Sequence, residues 1–209
     1  MPKTFSFGRS DRRAFLRTGI IGSTGLVVAQ FLVPKELRAS TTLTYQVSQS
    51  SDDAQEGLEG GINLTSGSVT LISSDVHCGF RFQDVAVAQA TTLISASISF
   101  DILTYTAPTG PLIYCEAADN SLTFTTSKKW DISLRPHTVD STGCNATGTG
   151  WQSTDITACV QDVINRAGWA SGNALSVLTV ANSGSYNGNL VASTYDASPS
   201  TAAILTINY

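Results

Sequence analysis

The sequence predicts an all-β domain: an antiparallel β-sandwich of jelly-roll character, with one short α-helix near its C-terminal third. Three observations carry that expectation. From residue 40 onward the chain is rich in Ser, Thr, Gly and Val and poor in charge, a composition that favours strands and turns. Alternating or β-branched runs recur at residues 43–48, 68–72, 76–87, 92–103, 111–117, 174–181, 190–195 and 202–209. Turn residues punctuate them, among them Gly60-Gly61, Thr109-Gly110, Asp119-Asn120, Ser183-Gly184 and Asn187-Gly188, the spacing of a sandwich or barrel.

Two runs show the half-buried strand pattern. Cys78, Phe80 and Phe82 fall on one face of their run, with Arg81 and Gln83 on the other. Ile94, Ala96, Ile98, Phe100 and Ile102 make one apolar row of the next. A different period marks the helix. Ile156, Cys159, Val160, Val163 and Ile164 follow the i, i+3, i+4, i+7, i+8 rule of one helical stripe. Ser153 or Thr154 is its expected N-cap, with Asp155 at the positive end. Gly168 is the expected C-terminal glycine, and Trp169 is expected to fold back in packing.

The first 39 residues read as a twin-arginine signal peptide, either cleaved or retained as an anchor. Arg12 and Arg13 are followed by Ala14, Phe15, Leu16 and Arg17, the pattern R-R-x-F-L-K/R. Residues 18–33 are uncharged, and Lys35 and Arg38 follow them. That order is basic, apolar, then polar, and the apolar part is short for a bilayer span of ~20 residues. The expected partner at this stage is the twin-arginine export machinery, and the destination is the cell surface, the periplasm or the medium. Residues 40–209 then form a single domain with five basic and fourteen acidic residues, a net charge of −9. Only Lys128 and Lys129 adjoin, so a phosphate-tracking surface is excluded, and with it nucleic acid as a partner.

Four cysteines in an exported chain suggest two disulfides. Cys144–Cys159 and Cys78–Cys115 are the expected pairs. Asp52, Asp53 and Glu56 are the densest carboxylate group, and a loop holding them is a candidate for a structural calcium ion, which takes oxygen ligands. The alternative is a solvated polar turn, and no other cofactor is expected.

Catalytic arrangements are sparse. No Gly-x-Ser-x-Gly elbow occurs, and His77 and His137 are the only histidines. Glu116 and Asp119 are the best carboxylate pair for glycoside hydrolysis, although Asp119-Asn120 also reads as turn chemistry. The domain is therefore expected to be non-catalytic, with a hydrolase as the remote alternative. Trp130, Trp151 and Tyr186 are the aromatic candidates for stacking on a sugar, each with edge or core packing as its alternative.

Several stretches carry a resemblance. They are Gly79-Phe-Arg-Phe-Gln-Asp-Val with the later Leu93-Ile-Ser-Ala-Ser-Ile-Ser-Phe, Glu116-Ala-Ala-Asp-Asn, Val163-Ile-Asn-Arg-Ala-Gly-Trp-Ala-Ser-Gly-Asn-Ala-Leu, and the ending from Thr194 to Tyr209. Together they resemble secreted bacterial β-sandwich modules of the DNRLRE type and carbohydrate-binding-module-like domains. The resemblance implies a jelly roll, extracellular placement and a non-catalytic role, with binding of surface or extracellular polysaccharide as the leading expectation. The competing expectation is a structural subunit of the cell envelope or of an extracellular filament, self-associating by strand pairing.

Overall fold

The alternating runs become strands that are apolar on one side. A computed structural model describes residues 40–71, 76–106, 112–180 and 188–209. Arg12, Arg13, Phe15, Leu16 and Tyr186 lie outside the described residues. In chain order the elements are β1 (Thr42–Gln46), a 3-10 turn (Ser50–Asp52), β2 (Asp53–Glu56), β3 (Ile62–Asn63), β4 (Ser68–Thr70), β5 (His77–Val85), β6 (Ser95–Tyr105), β7 (Leu112–Cys115) and β8 (Thr142–Gly143). They continue with β9 (Gly150–Asp155), α1 (Thr157–Ile164), β10 (Asn173–Val180), β11 (Leu190–Ser193), a 3-10 turn (Pro199–Thr201) and β12 (Ile204–Asn208).

Two antiparallel sheets form a β-sandwich. In the first, β6 is the long central strand. β9 pairs with Ser97–Ile102 along one flank, while β12 and β11 share the other flank end to end. β1 lies outside β12 and β4 outside β11. The second sheet runs β3-β2-β5-β10-β7-β8. Phe80 of β5 meets Phe100 of β6 across the interior with ring centroids 4.8 Å apart. Around that contact Ile98, Ile102, Ile113, Val177, Leu205 and Ile207 are fully buried, and α1 adds Cys159, Val160, Val163 and Ile164. Trp169 packs in the same core, and its indole N–H donates to the Val87 carbonyl at 3.0 Å.

Local chemistry shifts two of the expected details. The helix starts at Thr157, and Asp155, rather than Ser153 or Thr154, accepts from its first amide, at 2.8 Å. The Thr157 hydroxyl also donates to Asp155, and these two bonds hold that carboxyl below its usual range. Ile94 precedes β6 and is 66 % exposed, so the inward row begins at Ala96.

All four cysteines are free thiols, which corrects both expected disulfides. Cys78 pairs with Thr179 and Cys115 with Val177, on opposite flanks of β10. Two strand spacings separate them, roughly 9.5 Å, beyond the ~7 Å that a disulfide spans between Cα atoms. Cys159 Sγ instead donates to the Asp140 carbonyl at 3.2 Å, while Cys144 Sγ accepts from the Thr154 hydroxyl. Burial pushes the Cys78 thiol up to about 12 and that of Cys159 up to about 11, which keeps both in the unreactive protonated form.

β10 is buried on both faces. Leu175, Val177 and Thr179 face the interior, while Ala174, Ser176 and Leu178 lie beneath the segment between β7 and β8. Phe124 and Ile132 of that segment form a second small core with Ala54 and Leu178. Gly79 makes this seat possible. A Cβ there would stand 2.3 Å from Phe124 Cζ, so only glycine lets the ring lie flat on β5.

The Gly79→Ala protein is expected to lose about 1–3 kcal/mol of stability in urea unfolding, the range of overpacked cores. Adding Phe124→Leu should cancel part of that loss. A strictly additive double mutant would contradict the contact.

Candidate functional site

The segment from Glu116 to Thr138 covers the second sheet, and its charge chemistry centres on Arg135. The guanidinium is 7 % exposed. Its Nη1 donates to Glu116 Oε2 at 2.9 Å and to the Leu122 carbonyl at 2.7 Å. Its Nη2 donates to the Thr123 carbonyl and to Asp131 Oδ2, both at 3.2 Å, and its Nε donates to the Asp131 carbonyl at 2.8 Å. The Phe124 ring lies 4.3 Å below. Glu116 also takes the Ser121 hydroxyl, which bonds Ser176 on β10 at 2.6 Å. A cleft of about 260 Å³ opens above, rimmed by Leu122, Leu134 and Pro136 with Lys128 at its side. Every Arg135 nitrogen is already committed to the protein, so the cleft offers no free guanidinium to a ligand.

The three carboxylates expected around calcium are not brought together. Asp52, at the end of the 3-10 turn, and Glu56 of β2 are buried toward the covering segment, while Asp53 faces the interior. Asp52 receives Arg81 Nη1 at 2.9 Å and Gln83 Nε2 at 2.6 Å. Glu56 Oε2 accepts from the amides of Ile132 and Ser133 at 2.7 and 3.0 Å, fixing the covering segment. Asp53 Oδ2 accepts from the Tyr195 amide at 2.6 Å. Among the described residues no three acidic, histidine or cysteine side chains cluster to hold a metal ion.

The carboxylates considered for hydrolysis also diverge. Glu116 belongs to Arg135, whereas Asp119 pairs with Arg166 Nε at 2.6 Å. His137 stacks on Tyr114 with centroids 5.0 Å apart, and burial, with nearby His77, holds its pKa below the usual value.

The outer face of the first sheet differs. β6 turns Ser97, Ser99, Asp101 and Leu103 outward, β9 turns out Trp151, Ser153 and Asp155, and β12 and β1 add Thr206, Asn208, Thr42, Thr44 and Gln46. Register sets these side chains in rows across four strands. One row reads Thr44, Thr206, Ser97 and Asp155, and the next Gln46, Ile204, Ser99 and Ser153. The strands of this sheet contain no Lys or Arg. Trp151 stands directly opposite Asp101 and is 47 % exposed, so an indole meets solvent from a strand paired on one side with β6 rather than from a loop.

Trp130 is placed otherwise. Its ring lies on Gly60, where a Cβ would come within 2.4 Å of the indole, and its amide donates to the Gly60 carbonyl at 3.0 Å. Gly60 has φ +73° and Trp130 φ +60°, so two left-handed residues lock this contact. Trp130, 39 % exposed, is thus locked onto Gly60, whereas Trp151, 47 % exposed, projects from β9. Asp101, Ser99 and Ser153, which share this face, were not among the candidates expected from the sequence. The alternation of residues 94–102 marks Asp101 as outward, but only the β6–β9 register puts it beside Trp151. Compared with known proteins, the chain matches no family model and no curated protein.

Asp53 is the exceptional titrating group. It faces the interior, Oδ1 has no hydrogen-bond partner among the described residues, and burial pushes its pKa up to about 7, with the charges of Asp196 and Asp52 adding to the shift and the Tyr195 amide opposing it. An unfolded aspartate ionises near 3.8. Between these values the folded chain holds a proton that the unfolded chain releases, so stability falls as pH rises from about 4 through 7. Three pH units correspond to about 4 kcal/mol. Asp53→Asn keeps an acceptor for Tyr195 and cannot ionise. Urea unfolding across this window should show the variant gaining on the wild type as pH rises. Parallel curves would contradict the assignment.

Proposed function

We propose that the domain is a non-catalytic polysaccharide-binding module, and that the outer face of the β1–β12–β6–β9 sheet is its binding surface. The observation that carries the reading is Trp151: a half-exposed indole on a paired strand, flanked by a regular array of hydroxyls and amides. Sugar rings present an apolar C–H face and a rim of hydroxyls. A flat aromatic face matches the first, and the Ser, Thr, Asn and Gln side chains of this sheet match the second. Because the array sits on strands, its spacing is fixed before the ligand arrives, which lowers the ordering cost of binding. The export signal read in residues 1–39 would place such a surface where polysaccharides are met.

The alternative, a subunit assembling by strand pairing, draws on β1. That strand pairs with β12 on one side only among the described residues, and its free edge is the place for another chain to add.

The test is co-sedimentation of residues 40–209 with insoluble cellulose, chitin and xylan, alongside size-exclusion chromatography. Trp151→Ala is expected to weaken binding by roughly thirtyfold, the cost of a ~2 kcal/mol hot spot, with Tm held within about 2 °C as for an exposed site. Phe82→Ala is the reverse control, losing ~3–5 kcal/mol of stability as a core deletion. A wild-type domain that sediments with no polymer and elutes as a concentration-dependent oligomer would replace this reading with the assembly one.

A further inference from the structure

We infer that the ligand of this face is an amine-bearing, cationic glycan, recognised by Asp101 and Trp151 acting together; the inference rests on the polysaccharide reading above. The two residues are direct cross-strand partners, both on outward rows of their strands. Their Cβ atoms are therefore about 5 Å apart. Beyond the backbone ladder, the Asp101 side chain makes no hydrogen bond or ion pair among the described residues, which leaves its carboxylate available to a ligand. An ammonium placed between them gains from both sides: the carboxylate accepts its N–H groups, and the indole face attracts its charge within ~6 Å.

The surroundings sharpen the choice. The charged groups turned outward on the β1–β12–β6–β9 rows are Asp101 and Asp155, both acidic. The five basic residues beyond position 39 lie elsewhere. Arg81 is on β5, Lys128, Lys129 and Arg135 are in the covering segment, and Arg166 follows α1. Uronate or sulfated chains would meet uncompensated negative charge on this face. A neutral chain would satisfy the hydroxyl rows and leave the carboxylate without a counter-charge. An amino sugar uses all three features, and Leu103, the next outward residue on β6 and half exposed, extends the apolar strip beside the indole.

The experiment titrates residues 40–209 with soluble oligomers of chitosan and of chitin, which share a backbone and differ in carrying free or acetylated amines. At about pH 5.5, acidic enough to protonate the free sugar amines, which ionise below a peptide α-amine, the chitosan oligomer should bind at least tenfold tighter, and added salt should narrow the gap. Asp101→Asn, a surface change, should erase the preference, bringing the chitosan-oligomer affinity down to that of the chitin oligomer. Equal or tighter binding of the chitin oligomer, or a preference that survives Asp101→Asn, would overturn this inference and leave the polysaccharide reading standing. Failure of both oligomers and of all three insoluble polymers would remove both.

Discussion

The constraint on which the architecture turns is the burial of one guanidinium. Arg135 sits between the Phe124 ring and the carboxylates of Glu116 and Asp131, and it also donates to three main-chain carbonyls of the segment that carries it. A buried charge is tolerated only when paired and hydrogen-bonded throughout, and here each nitrogen is. The reward is geometric. A long irregular stretch becomes a fixed lid on the second sheet, tied to β2 by Glu56 and to β10 through Ser121 and Ser176. Gly79 and Gly60 complete the arrangement by letting Phe124 and Trp130 lie directly on backbone.

That lid makes the two sheets unequal. One outer face is covered by the lid and spent on packing and internal ion pairs, so that β10 is buried on both sides. The other outer face stays wet, regular and free of basic groups. The proposed binding reading rests on the second because Trp151 and Asp101 project from it side by side, whereas the polar groups of the lid are occupied by one another. The same contrast separates Trp151 from Trp130 and Trp169, which share a residue type and differ in what already covers them.

Much of the fold was legible in the sequence. The eight expected strand runs correspond to β1, β4, β5, β6, β7, β10, β11 and β12, and the helical stripe of residues 156–164 became α1. What escaped notice has common physical causes. β2 reads Asp-Ala-Gln-Glu because its outward residues anchor the lid and its inward carboxylate holds Tyr195, so the polar residues looked like a loop. β9 has no apolar alternation, since its inward Gln152 and Thr154 bind the strand-crossing residues 145–147. The expected disulfides followed from compartment and count, yet strand register sets Cys78 and Cys115 on opposite flanks of β10. The proposed binding face was legible only in part. Trp151 stood out as an aromatic in a polar stretch, but a loop platform was expected where a strand is found. Asp101 became visible only through its cross-strand partner.

The three tryptophans offer the most direct check of the central claim, that Trp151 is the ligand-stacking residue. With 5-fluorotryptophan incorporated throughout residues 40–209, the fluorine spectrum contains one resonance each for Trp130, Trp151 and Trp169, assigned by single replacements. Titration with the chitosan oligomer, and separately with the chitin oligomer, is predicted to shift or broaden the Trp151 resonance while Trp169 in the core and Trp130 on Gly60 stay in place. A Trp130 resonance that moves while Trp151 remains still would contradict the account and transfer the binding site to the lid.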